Sequence, residues 1–358
     1  MHIMDIKYQI NWLMSIEDQQ QAIEPVVFEL LILIQQKGSL KSAAEQAKIS
    51  YRYAWGLLHK WQDKLGTLVI LEPGRGAHLS EIGETLLNAN TRLNAKFSPG
   101  LDNFATECKR DLNVRLTQGN TRSLNIFASH GLAISTLREL INQQADFKLD
   151  LHFHGSLESL RALNNKQCDI AGFHLPIGPL STQLSPQYLN MLDPTTHELI
   201  YVVKRNQGLM YRTDSAKDVK SIQSLKNGTL RFINRQADSG TRLLFDQLIA
   251  SGNIKTEQIN GYDHEEFTHL AVAALVASGA ADISFGIAPM AEKFNLEFMP
   301  LVWEHYCLAV PKAIVKDDRV SQIMTLLHSE SFKQSLAHTR GYQTEVSGLT
   351  VSFDTIFA

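Results

Sequence analysis

The chain has 358 residues, 44% of them hydrophobic and 20% charged, with 34 Lys+Arg against 37 Asp+Glu for a net charge of −3. That length exceeds one ordinary core and implies two or three domains, while the near-neutral balance excludes wholesale coating of nucleic acid but leaves room for one basic module. Cys108, Cys168 and Cys307 are far apart with no CxxC pair, which excludes a disulfide framework and a cysteine metal centre.

The opening "MHIMDIKYQINWLMSIEDQQ" alternates in polarity and lacks the apolar core of a secretory signal. No run approaches the ~20 apolar residues of a membrane helix, so a cytoplasmic protein without a membrane partner is expected. Residues 26–66 then read as three helices. The first stops at Gly38, Ser39 can cap a short second helix carrying Ala43, Ala44 and Ala47, and Ser50 can cap a third. Helix, tight turn and helix with small residues at the contact is the helix-turn-helix plan. On the third helix Ala54, Leu58, Trp61 and Leu65 form one apolar stripe, and Arg52, Gly56, His59 and Asp63 face the other way. Double-stranded DNA is the expected partner of that second face, with Ser50, Tyr51, Arg52, Trp55, His59 and Lys60 as candidate contacts. Residues 26–96 carry nine Lys/Arg against six Asp/Glu, so positive charge concentrates in this module. The β-rich "LVILEPGRGAHLS" that follows reads as a wing hairpin with Arg75 at its tip, available to a phosphate or the minor groove.

"GSLKSAAEQAKISYRYAW" with "LVILEPGRGAHLSEIGETLL" resembles the winged helix of ModE-type molybdate-responsive regulators, relatives of the LysR type, over residues 25–90. Residues 81–110 are helical with a break expected at Ser98-Pro99-Gly100. The resemblance implies that this helix pairs two subunits, and Leu86, Leu93 and Phe97 supply a stripe compatible with a homodimer or tetramer, or with packing inside one chain.

From residue 121 onward strands and helices alternate as βαβαβ. This predicts a parallel sheet with ligands at the carboxyl ends of its strands. "HELIYVVKRNQGLMY" reads as a crossover to a second set of elements, and "FMPLVWEHYCLAV" as the return. The expected fold is α/β: an N-terminal winged helix-turn-helix, 1–80, a linker or dimerisation helix, 81–120, and a two-lobed periplasmic-binding-protein-like effector domain of LysR-like type II, 121–358. Lobe 1 is expected over about 121–204 and 301–358, and lobe 2 over about 205–300. "RFINRQADSGTRLLFDQL" and "THLAVAALVASGAADISFGI" resemble the binding-protein-like domain found behind ModE-type winged helices and beside molybdenum-cofactor biosynthesis modules, over residues 122–315.

Four strand-to-helix junctions offer donors for an anion: Ser129-His130, Gly155-Ser156, Ser239-Gly240-Thr241-Arg242 and Thr268-His269. Each alone is an ordinary helix cap, but four at matching points of two lobes make a site. Asn234, Arg235 and Arg242 are placed to compensate or orient negative charge. His152, His154, His174 and His130 lack a carboxylate or cysteine at ligand spacing, so neither a metal nor a cofactor is predicted. No nucleophile elbow, Walker loop or GxGxxG is present, which argues against an enzyme.

The sequence therefore points to a cytoplasmic, homo-oligomeric transcription regulator whose cleft senses a small oxyanion. The resemblances imply molybdate or tungstate. A molybdenum-cofactor precursor or an organic anion in the same architecture, and a cofactor-assembly enzyme with a DNA-binding domain, are the alternatives.

Overall fold

A computed structural model describes residues 6–16, 19–72, 76–117, 123–237, 239–337 and 339–357. The described chain divides into two compact units, one spanning Tyr8–Phe97 and the other built from Ser98–Ala358.

The smaller unit begins with a short antiparallel hairpin, β1 (Leu13–Ile16) and β2 (Gln19–Ala22), that the sequence did not suggest. Helix α1 (Pro25–Lys37) starts on a proline and ends where Gly38 adopts φ +64°, a conformation that favours glycine. Helix α2 (Leu40–Gln46) is capped by Ser39 and α3 (Tyr51–Leu65) by Ser50, whose hydroxyls accept from the third backbone N–H onward. Strands β3 (Val69–Glu72) and β4 (Gly76–Leu79) form an antiparallel pair after α3. Val27, Leu31, Ile34, Ala43, Ala54, Leu58 and Trp61 are the centre of one apolar core that holds the three helices to this hairpin.

Helix α4 (Glu81–Thr117) runs through Pro99 without the expected break. A proline removes one helical hydrogen bond but does not end a helix whose flanking turns are held by packing, and Ala95 and Ala105 on either side are buried.

The larger unit follows in chain order. Strand β5 (Ser123–Ala128) leads to α5 (Leu132–Gln144), β6 (Lys148–Phe153) to α6 (Ser156–Asn164), and β7 (Ile170–Pro176) to α7 (Pro179–Leu189). Helix α7 carries an internal Pro186 and is weakly patterned, which is why periodicity does not predict it. Strand β8 (His197–Tyr211) crosses into a second set: β9 (Phe232–Arg235), α8 (Gly240–Ser251), β10 (Glu265–Glu266), α9 (His269–Ala277), β11 (Ile283–Ile287) and α10 (Ala288–Lys293). Strand β12 (Glu297–Pro311) returns, and α11 (Asp318–His328), α12 (Glu330–Ala337), β13 (Tyr342–Gln343), β14 (Thr350–Val351) and α13 (Phe353–Phe357) close the chain.

These strands form one sheet in the order β10-β9-β11-β8-β12-β7-β5-β6, with β13 and β14 also on β8. The two long antiparallel strands β8 and β12 belong to both lobes. β12 pairs with β7 of the first lobe from Glu304 to Ala309, whereas β11 of the second lobe pairs with β8 from Gln207 to Tyr211. The changeover falls where Arg205 lies opposite Glu304. One apolar core packs α6, α7, α8 and α13 under both lobes, and separate cores lie beneath α5, α11 and α12, and beneath α9 and α10. No helix among the described residues is long and apolar enough to cross a membrane.

Candidate functional site

Parallel strands point their carboxyl ends the same way, so His174 on β7, the loops after β5, β6 and β9 and the starts of α6, α8 and α9 converge on one cleft between the lobes. It encloses about 150 Å³, small beside the ~300–1,000 Å³ of typical small-molecule sites. Ser129, His130, Gly155, Ser156, Arg235, Ser239, Gly240, Thr241, Thr268 and His269 line it, so ten of the twelve proposed ligand residues come together. The two lobes nearly touch here: a Cβ on Gly240 would lie 3.4 Å from Ser156 Oγ of the opposite helix start.

The helix starts differ in how they are capped. In the second lobe Ser239 accepts from Arg242 N and Thr268 from Ala271 N. In the first lobe α5 and α6 follow Gly131 and Gly155, with no side-chain cap. First-turn amides have no acceptor inside their own helix, and the helix dipole makes that end attractive to an anion.

Asn234 and Arg242 are not in the lining. Adjacent residues of a strand point to opposite faces, so Arg235 and Asn234 cannot both enter the cleft. Asn234 Nδ2 donates instead to Tyr262 O (3.1 Å). Arg242 turns back toward carboxylates of its own lobe. Its Nε donates to Asp246 (3.0 Å), its Nη1 donates to Glu265 (2.8 Å) and to Arg235 O (3.1 Å), and its plane lies 4.1 Å over the Tyr262 ring. Arg242 thus holds the backbone of Arg235 rather than a ligand.

With Arg205, Arg235 is one of two buried guanidiniums that line the cleft. It is 8% exposed, donates from Nη2 to Phe267 O (2.9 Å) and from Nε to Gln236 Oε1 (3.2 Å), and pairs with no carboxylate of the described residues. Burial, and then the nearby Arg205, push its pKa down to about 9. A guanidinium remains charged at neutral pH even so, which leaves an uncompensated positive charge in a confined space.

Three further groups line the cleft that sequence reasoning did not select. Arg205 is buried on β8, with its Nε donating to Glu304 Oε1, while Gln207 Nε2 donates to Glu304 Oε2 (2.7 Å). Burial opposes the charge of Arg205, but Glu304 more than offsets it and raises its pKa. His174 is buried on β7 with Nε2 2.5 Å from Ser129 Oγ and Nδ1 3.4 Å from Glu304 Oε1. His154, at the rim, pairs with Glu158 at 2.8 Å.

Burial holds His174 and His269 well below their ordinary value of 6.5, with Arg205 adding to the effect on the first and Arg235 on the second. The buried pair is neutral in the folded chain, whereas the unfolded chain protonates both near 6.5. The unfolded state therefore binds more protons below that pH, and stability is lost as pH falls. The expected loss for the ligand-free protein is up to about 1.4 kcal/mol per pH unit for each histidine, read from denaturant unfolding at pH 7.5, 6.5 and 5.5. A flat profile would count against two neutral buried histidines.

On the smaller unit, Tyr51, Arg52, Trp55 and His59 are exposed along α3, with Trp55 stacked on His59 at 4.8 Å. Ser50 is occupied as the helix cap, accepting from Tyr53 N (3.2 Å). Lys60 is drawn away from the exposed face: its Nζ lies 2.5 Å from Glu24, which also accepts from Trp61 Nε1 (2.6 Å). Arg75 lies outside the described residues.

A family model described as a PBP superfamily domain matches residues 137–328, more than half of the chain. The chain belongs to this superfamily. It is 30% identical over 199 residues to the uncharacterized protein YvgK of Bacillus subtilis, covering 56% of this chain but only 64% of that relative's length. It is 34% identical over 111 residues, 31% of this chain and 98% of the relative, to an uncharacterized protein encoded 5′ of a 2Fe-2S ferredoxin gene in Clostridium pasteurianum. Similar solved structures include a mutant of OxyR from Corynebacterium glutamicum with H2O2 bound, at 13% identity, 88% and 94% coverage of this chain and that one, and TM-score 0.46. An ABC-type phosphate transport receptor from Vibrio cholerae matches at 14% identity, 61% and 98% coverage, and TM-score 0.44.

In this PBP-superfamily cleft, Ser129, His174 and Glu304 stand in the order nucleophile, base and acid. Burial holds the His174 pKa well below its ordinary value, and its Nδ1 is 3.4 Å from Glu304 Oε1, longer than a good hydrogen bond. Among the described residues no group of three or more His, Cys, Asp or Glu is arranged to hold a metal ion.

Proposed function

We propose that the chain is a one-component transcription regulator. In this reading α3 and the hairpin after it read double-stranded DNA, and the cleft binds a small oxyanion, with molybdate or tungstate the leading effectors. The observation that carries the anion reading is Arg235, a buried guanidinium with no carboxylate partner among the described residues. An anion supplies the missing charge, and the uncapped starts of α5 and α6 supply further donors. The small volume favours a compact tetrahedral oxyanion over a cofactor precursor.

Ligand contacting both lobes favours the closed cleft, and a homodimer or tetramer converts closure into altered DNA affinity by population shift. Exposed Arg52, Tyr51 and His59 on a basic module support the DNA side. The test is binding to sequences selected from a random duplex pool. Arg52→Ala is expected to weaken the selected sequence by about 1–3 kcal/mol and to relax its specificity. Unchanged affinity and preference in Arg52→Ala would remove α3 from the DNA interface.

A further inference from the structure

We propose that Ser129, His174 and Glu304 form a hydrogen-bond relay that sets which proton accompanies the anion: a fully deprotonated oxyanion enters the cleft together with one proton, which His174 takes up. The inference rests on the anion reading of the cleft.

Hydrogen-bond direction fixes the empty state. Glu304 is an obligate acceptor, already receiving Arg205 Nε and Gln207 Nε2. Its Oε1 lies 3.4 Å from His174 Nδ1, too far for a good hydrogen bond but near enough for its charge to favour the tautomer with the proton on Nδ1. In that tautomer Nε2 is an acceptor. Ser129 Oγ, 2.5 Å away, must then donate its one proton to His174. What Ser129 turns toward the cleft is therefore a pair of lone pairs.

A ligand oxygen that carries a proton can donate it to Ser129 and leave the relay unchanged. A fully deprotonated oxygen cannot, because two acceptors would face each other. Ser129 must then rotate its O–H toward the ligand, which leaves His174 Nε2 a buried acceptor without a donor. A proton from solvent on Nε2 resolves this: His174 becomes a donor to Ser129 Oγ, and Ser129 donates to the anion. No covalent bond changes, and the proton comes from the buffer.

The surroundings of His174 agree with a proton that stays only when an anion is present. Its ring lies 3.8 Å from that of Tyr306, and its backbone N donates to Ser156 Oγ (3.1 Å). Arg205 on β8 disfavours a positive charge on His174, and Arg235 does the same for His269 across the cleft, while Glu304 on β12 lies close enough to favour one on His174. Tyr342 faces Arg205, and Tyr188 lies near Ser156 and Glu304. Without a ligand the cations dominate; an added anion reverses the balance.

The test is calorimetry on the full chain with molybdate and sulfate, in buffers of different ionisation enthalpy between pH 6.5 and 8.5. Uptake approaching one proton per anion is expected, with affinity falling up to about tenfold per unit rise in pH. His174→Gln keeps a polar group but cannot gain a proton, and half-buried Ser129→Ala breaks the relay without touching the buried pair. Both are expected to bind more weakly than the wild type, with little proton uptake and a flat pH dependence, and loss of all binding in both at neutral pH would overturn the relay as the source of the pH dependence. Binding by the wild type without proton uptake, or undiminished uptake in both variants, would overturn the relay alone. If no oxyanion binds, the relay and the anion reading fall together.

Discussion

Arg235→Gln is expected to abolish measurable anion binding while leaving the ligand-free protein at least as stable as the wild type. The two effects have one cause. Removing one partner of a buried, hydrogen-bonded charge pair costs about 2–5 kcal/mol of affinity, so a loss of roughly 30-fold to several thousand-fold is expected once the guanidinium is gone. In the empty protein the same guanidinium is a buried charge with two neutral acceptors and no carboxylate among the described residues, close enough to Arg205 to be repelled by it. Deleting it relieves that repulsion. A residue that served only the fold would behave in the opposite way, lowering the melting temperature and leaving binding intact.

Glu304→Gln is expected to have the largest effect on stability. Glu304 is 2% exposed and is the only carboxylate paired with Arg205 among the described residues. It sits at the point where β8 and β12 pass from one lobe to the other. Its removal leaves two buried guanidiniums in one cleft, and breaking a buried pair in this way costs about 3–5 kcal/mol. Thermal unfolding with and without saturating sulfate reads both parts of this effect. The variant should melt well below the wild type, and the anion should recover more stability in the variant than in the wild type. Equal melting temperatures would show that Arg205 does not depend on Glu304.

Much of this was legible in the sequence, and the misses have physical reasons. The alternation of strands with helices gave the order of the larger unit, because each period is a local property of a few residues. The four junctions were visible as clusters of hydroxyl and glycine residues before apolar helices. Which of Asn234, Arg235 and Arg242 faces the cleft was not visible, since it depends on strand alternation and on Asp246 and Glu265 reaching Arg242 first. Arg205 and Glu304 were overlooked because they lie inside strands read only as connections, and His174 was weighed only as a metal ligand. For His174 the usable signal was a titratable side chain in an otherwise apolar run, "IAGFHLP", whereas Arg205 in "VVKRNQGLM" and Glu304 in "VWEHYCLAV" stand beside other polar residues that blur it. Burying such groups is costly unless they are paired or used. Lys60 shows the converse, a lysine on α3 whose charge is claimed by Glu24, a residue distant in sequence.

Calorimetric titration of the wild type and Arg235→Gln with molybdate, tungstate, sulfate and phosphate tests the central claim most directly. A cleft built around an uncompensated guanidinium predicts saturable one-to-one binding of at least one of these anions to the wild type and none to the variant. Equal binding by both proteins, or no binding of any of the four to the wild type, would contradict it.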